Sequence, residues 1–190
     1  MFGEKDGFVA KVRRELKGRE RRTLREEGLT CAAVLVPLLF RDGEWHVAVT
    51  QRTLDVEHHK GQISFPGGAC EPGDADLEAT ALRETFEEIG VPPEAVEVLG
   101  ALDDFHTITH FVVTPYVGVI PYPFPYRVSP WEVADVVEVP LSFLCDQANL
   151  RLEEWEHEGQ TYEVLFWDYH AYTIWGATAR MLKGLLELVC

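Results

Sequence analysis

Three glutamates in the segment Arg83–Gly90, RETFEEIG, sit at i, i+3 and i+4: Glu84, Glu87 and Glu88. On an α-helix these positions share a face, where like charges repel one another. The arrangement costs free energy unless a cation sits among them, and the simplest candidate is a divalent metal. Mg²⁺ prefers oxygen ligands, keeps several waters and commonly bridges carboxylates to substrate phosphates. A Gly67-Gly68 pair and an acid-rich loop precede the helix. Turn, loop and carboxylate face together suit chemistry on a diphosphate. Plain solvation of a Glu-rich face is the alternative for the three glutamates taken alone.

The elements that must position these groups follow from periodicity. Residues 77–89 read as a helix with Leu82, Phe86 and Ile89 on its apolar side, stopped by Gly90 and by Pro92-Pro93. Upstream, 30–40 is a continuous apolar run, a strand buried on both sides with Pro37 marking an edge or a bulge. The Asp42-Gly43 turn leads to its hairpin partner at 45–51, and 62–65 is a short strand entering the glycine turn. Further strands are expected at 96–102, 111–120, 136–139 and 163–166, with a proline-rich loop at 121–131. Trp175, Thr178, Leu182, Leu185, Leu186 and Val189 mark a C-terminal core helix, while Phe8, Val12 and Leu16 mark an amphipathic helix within residues 7–26. The pattern is α+β, a mixed sheet flanked by helices, with an N-terminal helical segment over 1–28 and one main domain over 29–190.

Composition narrows the function. The 190 residues suffice for one domain with a substantial core. The formal charge is −15, but residues 1–30 hold nine Lys or Arg against six Asp or Glu, leaving eight against 26 elsewhere. No broad basic face is available for nucleic acid. The basic face of the N-terminal helix carries interrupting acids and a thin apolar stripe, which argues against a membrane surface. No stretch approaches the ~18 apolar residues of a membrane span. Cys31, Cys70, Cys145 and Cys190 are widely spaced and suggest neither a zinc site nor a disulfide framework. With no signal-peptide pattern at the N-terminus, the expectation is a cytoplasmic protein.

From Gly68 through Asp74, Arg83-Glu84, Glu87-Glu88 and Gly90-Val91 the segment resembles the Nudix box, G-x5-E-x7-R-E-U-x-E-E-x-G-U, with U a bulky aliphatic residue. It departs in being one residue longer in the loop, in having Asp74 for the first Glu, and in having Thr85 at a bulky position. Upstream, Thr50, Arg52, Gly61 and Phe65-Pro66-Gly67-Gly68 resemble the signature of the coenzyme A pyrophosphatase branch. There Thr53 replaces a Ser and Glu57 stands where that signature has Arg. The segments Ile174–Arg180 and Glu132–Leu141 also look like this branch.

The resemblance implies a Nudix-like α/β/α sandwich and a metal-dependent hydrolase that uses Mg²⁺ or Mn²⁺. In it Glu87 and Glu88 bind metal, Glu84 is a further ligand or helps activate water, Arg83 orients a glutamate, and the Gly67 carbonyl completes the shell. The expected partner is a small-molecule nucleotide diphosphate, coenzyme A or an acyl derivative. ADP-ribose or a dinucleotide stays open because Glu57 would repel a polyanion, and a non-catalytic binding module is the remaining alternative. Homodimerisation is left open.

Outside the box, Glu132 is the candidate for a ligand or base drawn from the proline-rich loop. Arg52, His59, Gly67 and Gly68 are the expected substrate contacts, with Arg52 on a phosphate. His58 and His59 also read as surface histidines. Phe124, Tyr126 or Trp131 can stack on a base or simply pack. Asp103-Asp104 reads as a strand end rather than a metal site.

Overall fold

The structure, a computed structural model, describes residues 5–24, 28–53, 61–107, 109–157 and 159–190. Glu57, His58 and His59 lie outside the described residues, so the expectations placed on them are not addressed by it.

One long strand organises the main sheet. Strand β1 (Thr30–Arg41) runs parallel to β7 (Phe111–Val119) on one side. On the other side it meets two partners in succession, β4 (Gly67–Ala69) opposite Ala32–Val34 and β2 (Glu44–Arg52) opposite Leu38–Arg41. Pro37 therefore marks neither an edge nor a bulge. It falls in the gap between those two partners, where no ladder hydrogen bond requires its missing N–H. The hairpin into β2 turns on Asp42 and Gly43, with φ of 51° and 86°, the two positive values a two-residue hairpin favours.

The sheet is completed by β3 (Ile63–Ser64) and β8 (Val133–Pro140) on β2, and by β5 (Glu97–Ala101) and β6 (Phe105–His106) on β7. The β1–β7 pair is parallel and its neighbours are antiparallel, so the sheet is mixed. A separate antiparallel sheet of β9 (Leu150–His157), β10 (Gln160–Tyr169) and β11 (Tyr172–Trp175) was legible only as the apolar core of β10. The charged sequence of β9, LRLEEWEH, hides its strand character.

Alternation along β1 divides the core. Val34, Val36 and Leu38 face helix α1 (Lys5–Gly18) and helix α4 (Gly176–Val189), while Leu35 and Leu39 face helix α2 (Leu77–Ile89). Helices thus cover both faces of the sheet, the α/β/α arrangement anticipated. In α1 the three apolar residues of the stripe, Phe8, Val12 and Leu16, are all buried, and the Phe8 ring lies 4.6 Å from that of Trp45. Arg19 and Arg21 then pair with Asp103 and Asp104, so those two aspartates anchor the segment that follows α1. The short helix α3 (Leu141–Cys145) follows β8. No helix among the described residues is long and apolar enough to cross a membrane.

The cysteine expectation is corrected. Cys31 pairs with Cys70 and Cys145 with Cys190, with Cα–Cα separations of 5.7 and 5.8 Å. Sequence separations of 39 and 45 residues conceal these pairs. The β1–β4 ladder and the approach of α3 to the C-terminus create them, and the cysteines no longer argue for a reducing compartment.

The packing of α1 makes a direct prediction. Phe8→Ala removes a buried ring and is expected to lower unfolding free energy by about 3 kcal/mol in denaturant melts, with kcat/KM of the folded protein unchanged. A loss near zero shows that α1 is not part of the core.

Candidate active site

The glycine turn and the helix meet because one of them has no side chain. Asp76 caps α2 by accepting the Ala79 N–H at 2.8 Å, and Gly90 ends the helix at φ 76°. Contrary to the expected apolar side, Phe86 is 52% exposed, and the face turned to the sheet is Ala81, Thr85, Glu88 and Ile89. Thr85, the departure from a bulky residue, is fully buried and its hydroxyl donates to the Ala81 carbonyl at 2.7 Å. A small residue there lets the helix lie close to the strands, which carries Glu88 inward with it.

Glu88 is only 4% exposed, and its Oε1 lies 3.4 Å from the Gly67 N–H that donates to it. A Cβ on Gly67 would stand 2.4 Å from the Ala33 carbonyl oxygen, and one on Gly68 would stand 2.4 Å from Glu84 Oε1. Gly67 is therefore required by contact with the backbone of the neighbouring strand, whereas at Gly68 a side chain would meet only the carboxylate end of Glu84 and displace it.

Arg83 joins the loop to the helix. It donates to Asp74 through Nε at 2.9 Å and Nη2 at 3.1 Å, to the Ala69 carbonyl at 3.1 Å, to Glu84 at 2.8 Å and to Glu87 at 3.1 Å. Asp74 also accepts from the Thr80 hydroxyl and the Glu71 N–H. The i, i+4 pair with Glu87 is one of five bonds, and three of the five tie the helix to Asp74 and the Ala69 carbonyl upstream of it.

Glu132 stands at the far side. It precedes β8 in the turn Ser129–Glu132, whose Ser129 N–H donates to the Glu88 carbonyl at 2.9 Å. Its charge acts on both Glu84 and Glu88. Arg52, at the end of β2, exerts the opposite influence on Glu88, and its buried Nε has no hydrogen-bond partner among the described residues. The structure thus groups Gly67, Gly68, Arg83, Glu84, Glu87 and Glu88, with Arg52 and Glu132 acting on the same carboxylates. Phe124 and Tyr126 do not join them. They pack on Leu35, Leu39 and Ile89, and the Tyr126 hydroxyl donates to Glu138.

The electrostatics follow from this packing. Burial pushes the Glu88 carboxyl up to about 8, against the pull of the Gly67 N–H and Arg52, with Glu132 and Glu84 adding to the rise. Burial also raises Glu84, opposed by its bond to Arg83. The hydrogen bond from Arg83, aided by the Glu71 N–H, holds Asp74 well below the usual carboxylate range. Loop carboxylate and helix carboxylates are thus driven in opposite directions around one guanidinium.

Among the described residues, no three His, Cys, Asp or Glu side chains form a ready-made metal cage. The donor set nevertheless fits a hard cation that completes its shell with water and phosphate oxygens. Glu88 is a buried carboxylate that carries its charge only at a desolvation cost, and a cation beside it removes that cost. The contacts at Gly68 set one expectation: Gly68→Ala, which forces the Glu84 carboxylate aside, lowers kcat by about 100-fold, the scale of losing one well-placed group. Circular dichroism should show the fold retained.

Comparison with known proteins agrees with this geometry. The family model described as NUDIX domain matches residues 29–165. A protein of Salmonella paratyphi B named "Uncharacterized Nudix hydrolase NudL" is 41% identical over 154 residues, covering 81% of this chain and 80% of its own. The same identity and coverage hold for the Salmonella newport protein of that name. Among solved structures, a NUDIX hydrolase from Alicyclobacillus acidocaldarius aligns with a TM-score of 0.57 at 20% identity, over 86% of this chain and 93% of that one. The NUDIX domain of Shewanella oneidensis NrtR, solved with ADP ribose, aligns at 0.51 and 23% identity, over 63% and 77%. At these identities the two structures speak for the fold. The family match and the NudL relatives go further: the chain belongs to the Nudix hydrolase family, pyrophosphohydrolases that act on phosphorus-containing anhydrides and generally use divalent metal cations.

Proposed function

We propose that this Nudix hydrolase cleaves the diphosphate of coenzyme A or an acyl-coenzyme A with Mg²⁺ or Mn²⁺, giving 3′,5′-ADP and (acyl-)4′-phosphopantetheine. The observation that carries the diphosphate part is a buried glutamate, Glu88, on whose charge the Arg52 guanidinium acts favourably. An anionic ligand bridged by a cation satisfies both groups at once. The coenzyme A part rests on the sequence from Thr50 to Gly68. ADP-ribose or a dinucleotide is the second reading, favoured by the negative charge of Glu57, where a polyanion would prefer Arg. A non-catalytic binding module is the weakest, since pure binding gives no reason to bury a glutamate beside two others.

In hydrolysis a water attacks one phosphorus, its proton leaves, and the bond to the bridging oxygen breaks. A divalent cation held by Glu84, Glu87 and Glu88 supplies charge neutralisation at the phosphate oxygens and a lowered pKa for water. The chain's own groups do the rest. Arg83 fixes the carboxylates of Glu84 and Glu87, Arg52 takes a phosphate oxygen, and the Gly67-Gly68 backbone lets the substrate approach closely. Glu132 is the proposed acceptor of the proton, or Glu84 where it activates water instead of holding the cation. A cytoplasmic location is part of this reading. We also place the main domain at 29–190, with 1–28 as its N-terminal helical segment.

A panel of coenzyme A, ADP-ribose and dinucleotides with Mg²⁺ or Mn²⁺, read by product chromatography, tests the proposal. Phosphopantetheine supports it, AMP supports the second reading, and no product overturns both. Arg52→Ala is expected to raise KM about tenfold, with Arg52→Lys recovering only part of the loss because a point charge replaces a fork.

Glu88 gives a prediction in pH. Its folded-state value lies above the ordinary 4.5, so the metal-free fold holds this proton more tightly than the unfolded chain does. That contribution is fully present below about pH 4.5 and is lost as pH rises towards about 8. Glu88→Gln should therefore raise the melting temperature of metal-free protein at pH 8.5 while lowering kcat by roughly 1,000-fold, a loss of several kcal/mol of charge stabilisation. Binding of Mg²⁺ to the wild type should strengthen from pH 6 to pH 8.5 and release protons in calorimetry. Equal melting temperatures for the two proteins at pH 8.5 contradict the assignment of the buried carboxylate.

A further inference from the structure

What holds the organic end of the substrate is a separate question, and one side chain stands out for it. Trp131 is 79% exposed, whereas Trp45 and Trp167 are buried. Singly exposed aromatics are common and need no explanation by themselves. Trp131 differs in how its backbone is held. It occupies the turn Ser129-Pro130-Trp131-Glu132, in which the N–H groups of Glu132 and Val133 both donate to the Ser129 carbonyl, at 3.1 and 2.9 Å.

The turn is pinned on two sides. Ser129 and Arg127 donate their N–H groups to the carbonyls of Glu88 and Ile89 at the end of α2, at 2.9 and 3.0 Å. Across the gap, the Thr53 hydroxyl donates to the Trp131 carbonyl at 2.7 Å, and the Thr53 N–H donates to the Glu132 carbonyl at 2.9 Å. Pro130 stiffens the turn further by fixing its own φ. The backbone that carries the indole is therefore held in place, and only the side-chain rotamers remain to be ordered when a ligand covers the ring.

Its position is equally specific. Trp131 adjoins Glu132 in sequence and is bonded to Thr53, the residue next to Arg52. It thus stands between the loop carboxylate and the arginine that flank the buried glutamate. Of the other aromatics of this loop, Phe124 and Tyr126 pack on the core, and the Tyr122 ring lies under the Arg41 guanidinium. An exposed indole carried on a fixed backbone beside the candidate diphosphate site matches the planar base of a nucleotide, because stacking uses the π-face that every base presents.

We propose that Trp131 is the base-stacking subsite of this enzyme. A purine, adenine in the favoured reading, lies on the indole while the attached diphosphate reaches Arg52 and the glutamates. This rests on the reading above and adds the residue that receives the base of the nucleotide. The subsite also predicts tolerance among purines, since a stacking plate reads a ring and not its hydrogen-bonding edge.

Two measurements test it. AMP and 3′,5′-ADP contain no diphosphate and are not cleaved, so each serves as a binding probe for tryptophan fluorescence. Saturable quenching is expected in the wild type, and its loss in Trp131→Phe identifies the reporting indole among the five tryptophans. In turnover, Trp131→Ala should raise KM for the adenine-bearing substrate about tenfold with kcat changed less than twofold, and Trp131→Phe should restore most of the loss. Quenching that persists in Trp131→Phe, or a KM unmoved by Trp131→Ala, overturns the subsite. If no diphosphate is cleaved at all, the diphosphate reading fails while quenching still decides the subsite. If cleavage occurs without quenching, only the subsite fails.

Discussion

A carboxylate buried against a glycine turn is the constraint on which this site depends. Glu88 sits one helical turn after Glu84, and both are drawn towards Gly67-Gly68, where side chains on the glycines would collide with a strand carbonyl and with Glu84 itself. Placing like charges so close and so far from water raises their proton affinity. A metal-free protein answers by holding a proton on Glu88. In the proposed reading a divalent cation would displace that proton, and metal binding, pH and stability would be coupled through one side chain. Arg83 settles the outer half of the problem by engaging Glu84, Glu87 and Asp74 together.

The scaffold exists to hold that approach. Strand β1 gives its first half to β4, which carries the glycine turn, and its second half to β2, which carries Arg52. Pro37 lies where the two meet, so the residue that most resembles a defect in the sequence is placed where no bond is missing. The small face of α2, Ala81 and Thr85, lets the helix settle on β1 and β7. The proline-rich segment then crosses the end of α2, fastened to the carbonyls of Glu88 and Ile89, and returns Glu132 to the carboxylates. Catalytic candidates from four separate segments are thus referred to one strand and one helix.

Half of the upstream signature has a structural meaning that does not depend on the substrate. Phe65 is 2% exposed in the core, the Pro66 carbonyl accepts from the Leu35 N–H, Gly67 is fixed by backbone contact, and Gly68 leaves room for the Glu84 carboxylate. Any member of the family that brings this turn against this helix meets the same demands. Phe65–Gly68 therefore speaks for the site rather than for coenzyme A. Substrate identity falls to Arg52, to Glu57 and to what meets the exposed rim at Trp131.

The sequence by itself determined the parts governed by local chemistry. Helix α2 runs over the residues its periodicity and caps announce, the Asp42-Gly43 hairpin forms because both residues accept positive φ, and the glutamate spacing declares one charged face. Tertiary structure decided what depends on contacts between distant segments. Periodicity put Phe86 inside and the glutamates outside, but packing of Ala81, Thr85 and Ile89 on the sheet turned Phe86 to solvent and Glu88 inward. Cys31 meets Cys70 only through the β1–β4 ladder, and Asp103-Asp104 becomes an anchor only when the segment after α1 arrives. Phe124, Tyr126 and Trp131 of one loop look alike in sequence. Core packing claimed Phe124 and Tyr126, and a turn held by three backbone hydrogen bonds and the Thr53 hydroxyl kept Trp131 outside, because a side chain can be buried only where a neighbouring element offers a surface to receive it.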